Sequence, residues 1–423
     1  MMKTKLWMMS MAVMLGCLMV SCSDSDENSN DGGTDETNID YTNRAYGNTA
    51  IGSCATLVNE LVKANTTVGS AQLSADQENY LRETLRNIVN NVIVPTYTQL
   101  GNEVEQLEAT LHGLNTSTIT QNDVNTACDH FKKARQYWEL SEAFLMGAAS
   151  DFDIDPTIDS WPLNRTLLLS YFKNGMSQEA LEDATILGFH ALEFILFRNG
   201  NPRQVSELQG NDTYKNFTSV SGAQELAYAQ TICTLLKQRT YQLQVAWEGE
   251  TAANKSRADV VKAANLDITT PYGLSYGSNL VNAGISGSKS TFPTLQTAIA
   301  QVLSDDEGSC VAIANEVGTA KISNPFSAGD ISYVESPYSY NSITDFCDNI
   351  RSIRNVWLGS TDGTAAAYSM HGFFANVGLQ NTNTAVESAY EQAIGSIANM
   401  PAPFVKYVST IWNLAFEDDE SWE

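Results

Sequence analysis

Basic residues are scarce in this chain. Lys and Arg number 24 against 49 Asp and Glu, giving a formal net charge of −25 and a sequence pI near 4.4. A phosphate-binding surface needs concentrated Lys and Arg, so nucleic acid is excluded as a partner, and so is an anionic lipid surface bound through protein charge. The acidic balance suits cations, or simply solubility. Cysteines are few and scattered, and no CxxC spacing occurs, which argues against a structural zinc site. HExxH and GxxxxGK[ST] are both missing, which leaves zincin and P-loop chemistry without a foothold. Strand-like alternation is rare. Only four histidines occur, and His112, His130 and His371 are isolated from one another and from His190.

Helical periodicity fills the space these absences leave. The opening "MMKTKLWMMSMAVMLGCLMVSC" has a charged start at Lys3 and Lys5, then an apolar stretch too short to span a membrane comfortably. It reads as a lipoprotein signal peptide over 1–21, with Cys22 as the lipidated residue after "LMVS". Removing it leaves 22 basic and 49 acidic residues, a net of −27. Residues 22–43 are polar and acidic and read as a disordered tether. The remaining cysteines, Cys54, Cys128, Cys233, Cys310 and Cys347, read as buried small hydrophobes, with a Cys54–Cys310-type bridge left open. Beyond them, Ser74 caps a long helix that Pro95 should kink. A second helix starts at Asn122 or Asp123 and closes near Gly147, a third opens at Ser177, and a fourth ends at Gly249. Further helices follow a looser polar stretch. The expectation is an all-α chain of two up-down, four-helix-bundle-like domains, 44–250 and 251–423.

The third helix holds the chain's most costly pair. In "GFHALEF", His190 and Glu193 lie three apart on one face of a helix that is apolar almost everywhere else. Burying a carboxylate without a partner costs several kcal/mol, on the order of 3–5. Either the pair closes a polar gap in a core, or both groups face a cation. On the second helix, Arg135, Trp138, Glu142 and Leu145 fall on one stripe, which brings Glu142 within reach of His190 or into a pair with Arg135; Glu139 lies slightly off that stripe. "DFDIDPTIDSWPL" imitates a calcium loop but has Pro156 where Gly is wanted and Pro162 where the closing Glu is wanted. It reads as a rigid turn packed down by Trp161.

"GFHALEF" contains GxHxxE and resembles the signature of the imelysin-like family, also called insulin-cleaving metallopeptidases or iron-regulated protein A. "VIVPTYTQL", "ARQYWELSEAFLMG", "IDSWPLN", "NSITDFCDNIRSIRNVWLG" and "MPAPFVKYV" extend the resemblance over about 45–410. The leader and acidic tether are similar to those of surface-exported Bacteroidetes lipoproteins. The resemblance implies two related helical bundles, a site near their interface and a link to bacterial iron uptake. It implies His190 and Glu193 as motif residues, Glu142 as a nearby acid, Gly188 as a close-packed position and Trp161 as the aromatic of the "SWP" turn. Asn341, Ser342 and Asp345 stand where the family has polar residues. The expected function is an outer-membrane lipoprotein that binds iron or an iron-containing small ligand, working with partner proteins of an uptake system. His190, Glu193 and Glu142 would be the ligands, and Arg135 and Trp138 would support them. The alternatives are a zinc-type metallopeptidase using the same residues, and a structural surface protein without a metal.

Overall fold

The computed structural model describes residues 39–409 except 176 and 178–180. The signal peptide, the lipidation at Cys22 and nearly all of the tether therefore lie outside the described residues. Helix α1 (Ala45–Ser70) buries Ala50, Cys54, Leu57, Leu61, Ala64 and Val68, a stripe at three- and four-residue spacing. At the start of α2 (Ala75–Ile88) the Ser74 hydroxyl accepts from the Gln77 N–H, and the Gln77 side chain accepts from the Ser74 N–H. The helical path continues through a π turn, Val89–Ile93, into α3 (Val94–Gly113), with Pro95 in its first turn. Proline cannot donate to the carbonyl four residues back and its ring crowds that carbonyl. The wider π turn absorbs the mismatch without ending the path.

Helix α4 (Gln121–Glu139) starts from a Thr120–Asp123 capping box and stops at Glu139 instead of running to Gly147. The cause is distant in sequence. In a continuous helix the Ala143 N–H would bond the Glu139 carbonyl. Here it donates to Ser352 Oγ at 3.0 Å, while the Glu139 carbonyl accepts from Asn349 Nδ2 at 3.4 Å. The chain tightens into a 3-10 turn, Glu142–Phe144.

Short helices α5 (Ala148–Asp151), α6 (Ile154–Ile158) and α7 (Arg165–Lys173) lead to α8 (Gly188–Leu196), which carries the GxHxxE stretch. The motif helix begins at Gly188, not Ser177, because Gly188 has φ of +69° and breaks any path through it. A side chain there would also put Cβ 1.9 Å from the Ile158 carbonyl oxygen. Gly188 is therefore what allows α8 to close on the 153–162 segment. A two-residue hairpin follows, β1 (Phe197–Arg198) and β2 (Asn201–Pro202), paired Phe197↔Pro202 and Arg198↔Asn201. Its Asn199–Gly200 turn has positive φ at both positions, the twist such hairpins need. The Gly200 N–H donates to the Tyr338 carbonyl at 2.9 Å, fastening the hairpin to the loop that contains Glu335.

The chain proceeds through α9 (Val205–Gln209), α10 (Gly222–Glu248), α11 (Lys255–Ala263), α12 (Tyr276–Val281), α13 (Leu295–Ser304) and α14 (Cys310–Glu316). A π segment, Val317–Ala328, precedes α15 (Ser342–Leu358), α16 (Met370–Asn376), α17 (Gln380–Ala398) and α18 (Phe404–Val408). The architecture is all-α, as expected, with β1–β2 the only sheet among the described residues. Helices α3, α4, α8 and α10 pack together; α1 packs along α17 and against α13 and α14, and α15 joins α17 and α14. The two sets meet where α15 crosses α4 and the 142–144 turn. Cys54, Cys128, Cys233, Cys310 and Cys347 are all buried and free. No helix among the described residues is long and apolar enough to cross a membrane.

Candidate metal centre

Where α4 meets α15, buried charge collects. Arg135 on α4 is 1% exposed and its guanidinium is surrounded by acids. It pairs with Asp159 and Glu335, lies 2.5 Å from Glu139 Oε1, and points Nε at Asp345 Oδ2 3.6 Å away. Lys321, set inward by the π segment, lies 3.1 Å from Glu335 Oε2 and 3.8 Å from Glu139 Oε2. Asp159 sits below the "SWP" turn and takes the Trp138 indole N–H at 2.7 Å on Oδ2.

The His190 ring completes the arrangement. Its Nε2 is 3.1 Å from Asp159 Oδ1, its Nδ1 is 3.6 Å from Glu193 Oε2, and the Trp161 ring covers it at 4.6 Å between centroids. One oxygen of Glu193, Oε1, accepts from the Tyr338 N–H (3.1 Å), the Ser339 N–H (2.8 Å) and the Ser339 hydroxyl (2.6 Å). Asp345 is held by the Ser336 hydroxyl and the Asn341 amide, and the Ser342 hydroxyl donates to the Glu335 carbonyl.

Carboxyls outnumber cations in this cluster, and burial sorts their protons. Burial opposes a charge on His190, yet the Asp159 carboxylate and hydrogen bonds to Asp159 and Glu193 raise it to about 9. Burial likewise works against a charged Asp159, but Arg135 and His190 hold it well below the usual carboxylate range. Glu335 is lowered too: Lys321 and Arg135 outweigh its burial. Burial pushes Glu139 and Glu142 well above the usual range, with Arg135 and Lys321 offsetting only part for Glu139 and Lys321 alone opposing it for Glu142. Desolvation raises half-buried Asp155, with Asp159 nearby adding to it, and buried Asp345, with Glu335 adding to it, both to about 7. The cluster thus holds excess negative charge as protonated acids, which a cation can replace.

Two groups of side chains place their ligand atoms within 4.8 Å of one another: Asp159, His190 and Glu335, and Glu139, Glu142 and Asp159. Asp159 belongs to both. Four buried atoms here, Glu139 Oε1, His190 Nε2, Glu193 Oε2 and Glu335 Oε2, have no aligned hydrogen-bond partner. Arg135 lies 2.5 Å from Glu139 Oε1, Lys321 3.1 Å from Glu335 Oε2 and Asp159 Oδ1 3.1 Å from His190 Nε2, so three of them have ionic neighbours, and Glu193 Oε2 has only His190 Nδ1 at 3.6 Å. The mixed nitrogen–oxygen group suits a first-row transition metal, and the all-carboxylate group a harder ion. The donor set fits a metal.

The predicted ligands are thus placed together only in part. His190 and Glu193 face one another, but Glu193 gives its better oxygen to the 338–339 backbone. Glu142 stands in the second group, apart from His190, because the 3-10 turn swings it off the α4 stripe; it does not pair with Arg135. Trp138 and Trp161 support Asp159 and His190, and Asn341 and Ser342 fix the loop around Glu335. Asp159, Glu335 and Lys321 were not singled out from sequence. Asp159 lies inside the quoted "IDSWPLN", which is the one signal that could have found it.

The imelysin family model (peptidase M75) matches residues 93–415. Iron-regulated protein A of Synechococcus elongatus is 26% identical over 285 residues, 67% of this chain and 66% of its own length. The chain therefore spans just under two thirds of that relative. A crystal structure from Parabacteroides distasonis, described as an iron-regulated protein A precursor, shares the fold with a TM-score of 0.63 at 24% identity, over 82% of this chain and 92% of its own. An imelysin-like protein from Psychrobacter arcticus follows at a TM-score of 0.50 and 12% identity, over 81% and 94%. The family match contains every residue of the cluster just described, and the chain belongs to the imelysin family.

Proposed function

We propose that the buried cluster binds a metal ion, iron in preference to zinc, and that the protein serves iron acquisition as a lipoprotein anchored through Cys22 to the outer membrane. The observation that carries this reading is the pair of buried ligand groups that share Asp159. Burial favours a single ion over a bulkier iron-containing ligand, since His190 is 1% exposed and the Asp159 and Glu335 side chains 6% each. The names of the Synechococcus and Parabacteroides proteins support a link to iron, and partner proteins of an uptake system would deliver or receive the ion.

Calorimetric titration of metal-free protein with Fe(II), Fe(III) and Zn(II) tests this. Asp159→Asn should abolish binding because it disables both groups. His190→Ala should weaken the mixed group and Glu142→Gln the all-carboxylate group. Undiminished binding by Asp159→Asn rejects the site.

A peptidase is the second reading, favoured by the Asp159, His190 and Glu335 set, since hydrolytic zinc sites use three protein ligands. The burial that suits an ion leaves a peptide no approach without opening the fold. Chelator-sensitive cleavage of an unfolded peptide, lost in Glu335→Gln, would establish it instead.

A further inference from the structure

Arg135 and Lys321 both offset the acid cluster, but they are held very differently. The Arg135 guanidinium, on the regular helix α4, faces Glu139, Asp159, Glu335 and Asp345, whose side chains are all at most 6% exposed. Lys321 is buried as well, yet its ammonium makes one long hydrogen bond among the described residues, 3.3 Å to Glu335 Oε1. Its approaches to Glu335 Oε2 (3.1 Å) and Glu139 Oε2 (3.8 Å) are charge attraction without a hydrogen bond. Glu335 belongs to one ligand group and Glu139 to the other, so a single ammonium stands against both. A further oxygen lies toward solvent: Glu316 Oε1 is 3.9 Å from the same nitrogen, and its side chain is 51% exposed. The backbone puts it there. A π turn closes on the fifth residue, so Glu316 and Lys321 come together across the start of the Val317–Ala328 segment, whereas an α-helix pairs residues three or four apart.

We propose that Lys321 is a tethered substitute for the metal ion: its ammonium balances Glu335 and Glu139 in the metal-free protein, and an incoming ion displaces it to Glu316 at the surface. The proposal rests on the metal reading and adds to it the group that the ion must evict. A lysine ammonium is a compact, strongly hydrated charge on a flexible stem, so it can swing where a guanidinium set among four carboxylates cannot. Like charges about 4 Å apart repel strongly in a partly buried site, so ion and ammonium do not share Glu335. A monovalent ion gains nothing by exchanging one unit of charge for another. A divalent or trivalent ion brings additional charge to carboxyls that outnumber the resident cations, and Lys321 thereby sets a valence threshold for entry.

The test follows the Lys321 amine directly. Full-length protein, metal-free or saturated with Fe(II) under anaerobic conditions, is treated briefly with an acetyl N-hydroxysuccinimide ester. Mass spectrometry then compares acetylation of Lys321 with that of exposed Lys255. Fe(II) should speed the modification of Lys321 severalfold and leave Lys255 unchanged. Calorimetry supplies the energetics. Lys321→Met removes the charge and should bind Fe(II) about tenfold or more tightly than wild type. Glu316→Gln alters an exposed side chain and should weaken binding severalfold in the wild-type background but not beside Lys321→Met, because its carboxylate acts by receiving the ammonium. The labelling needs no variant, so it decides even where Lys321→Met fails to fold. If wild type binds Fe(II) but Lys321 is acetylated no faster, or Lys321→Met binds no more tightly, the proposal is overturned and the metal reading stands. Equal effects of Glu316→Gln in both backgrounds overturn it too. Wild-type protein that takes up no Fe(II) removes the metal reading, and the proposal with it.

Discussion

Replacing Asp345 with Asn should make the metal-free protein more stable at pH 8 while changing little at acidic pH. Asp345 is fully buried on α15, and burial together with Glu335 raises its carboxyl to about 7 despite Arg135 nearby. The sign follows from linkage. A group whose folded pKa exceeds its unfolded value, here 3.8, contributes stability that is present below pH 3.8 and lost as pH rises through 7. At pH 8 the folded protein carries a buried carboxylate that the fold disfavours. Each pKa unit corresponds to about 1.4 kcal/mol, so the full displacement is worth about 4 kcal/mol as an upper bound. Asn is the neutral isostere and keeps contact with Ser336 and Asn341. Urea unfolding in EDTA at pH 4.5 and pH 8 measures the effect. The wild type should lose stability over that interval and Asp345→Asn should lose less, ending up to about 4 kcal/mol ahead at pH 8. An Asp345→Asn protein less stable than wild type at pH 8 would show that the Arg135–Asp345 attraction dominates, and the proton assignment of the cluster would be wrong.

Metal binding should release protons, because His190, raised to about 9, must lose its proton to act as a ligand. Affinity for Fe(II) should therefore rise about tenfold per pH unit and per proton released between pH 6 and 8, and a pH-independent affinity would remove His190 from the ligand set. Gly188→Ala should destabilise by several kcal/mol, about 3 or more, since it combines positive φ with a Cβ driven into the Ile158 carbonyl. Gly363→Ala has φ of +81° but open space and should cost only about 1–2 kcal/mol; equal melting-temperature losses would mean the close approach is unimportant. Trp138→Phe deletes the donor to Asp159 and should cost about 1–3 kcal/mol beyond any packing loss, whereas Trp161→Phe removes an N–H that has no partner. Comparing their denaturation midpoints checks the difference.

Local periodicity revealed the helices and the motif, because a face repeating every three or four residues is written into consecutive positions. The Ser74 cap is equally local, since its partner Gln77 stands three residues on. What escaped the sequence depends on residues far apart. Helix α4 stops at Glu139 because Asn349 and Ser352 on α15 intercept its backbone groups, and nothing near Glu139 announces this. Glu335 and Lys321 come from a loop and a π segment with no periodic signature. Asp159 was hidden in a turn whose aspartates imitate a calcium loop too imperfectly to be one. The Arg135–Glu142 stripe presumes an unbroken helix, and the same long-range interruption moves Glu142 off it.

The three donors gathered on Glu193 Oε1 join pieces of chain that are 145 and 146 residues apart. That single oxygen welds the motif helix to the loop bearing Glu335, and the two cannot part without abandoning all three bonds together. The backbone amides of Tyr338 and Ser339 are therefore natural timekeepers. Their exchange with deuterium records how often the weld opens, and that frequency sets a ceiling on traffic between bulk solvent and the space between α8 and this loop.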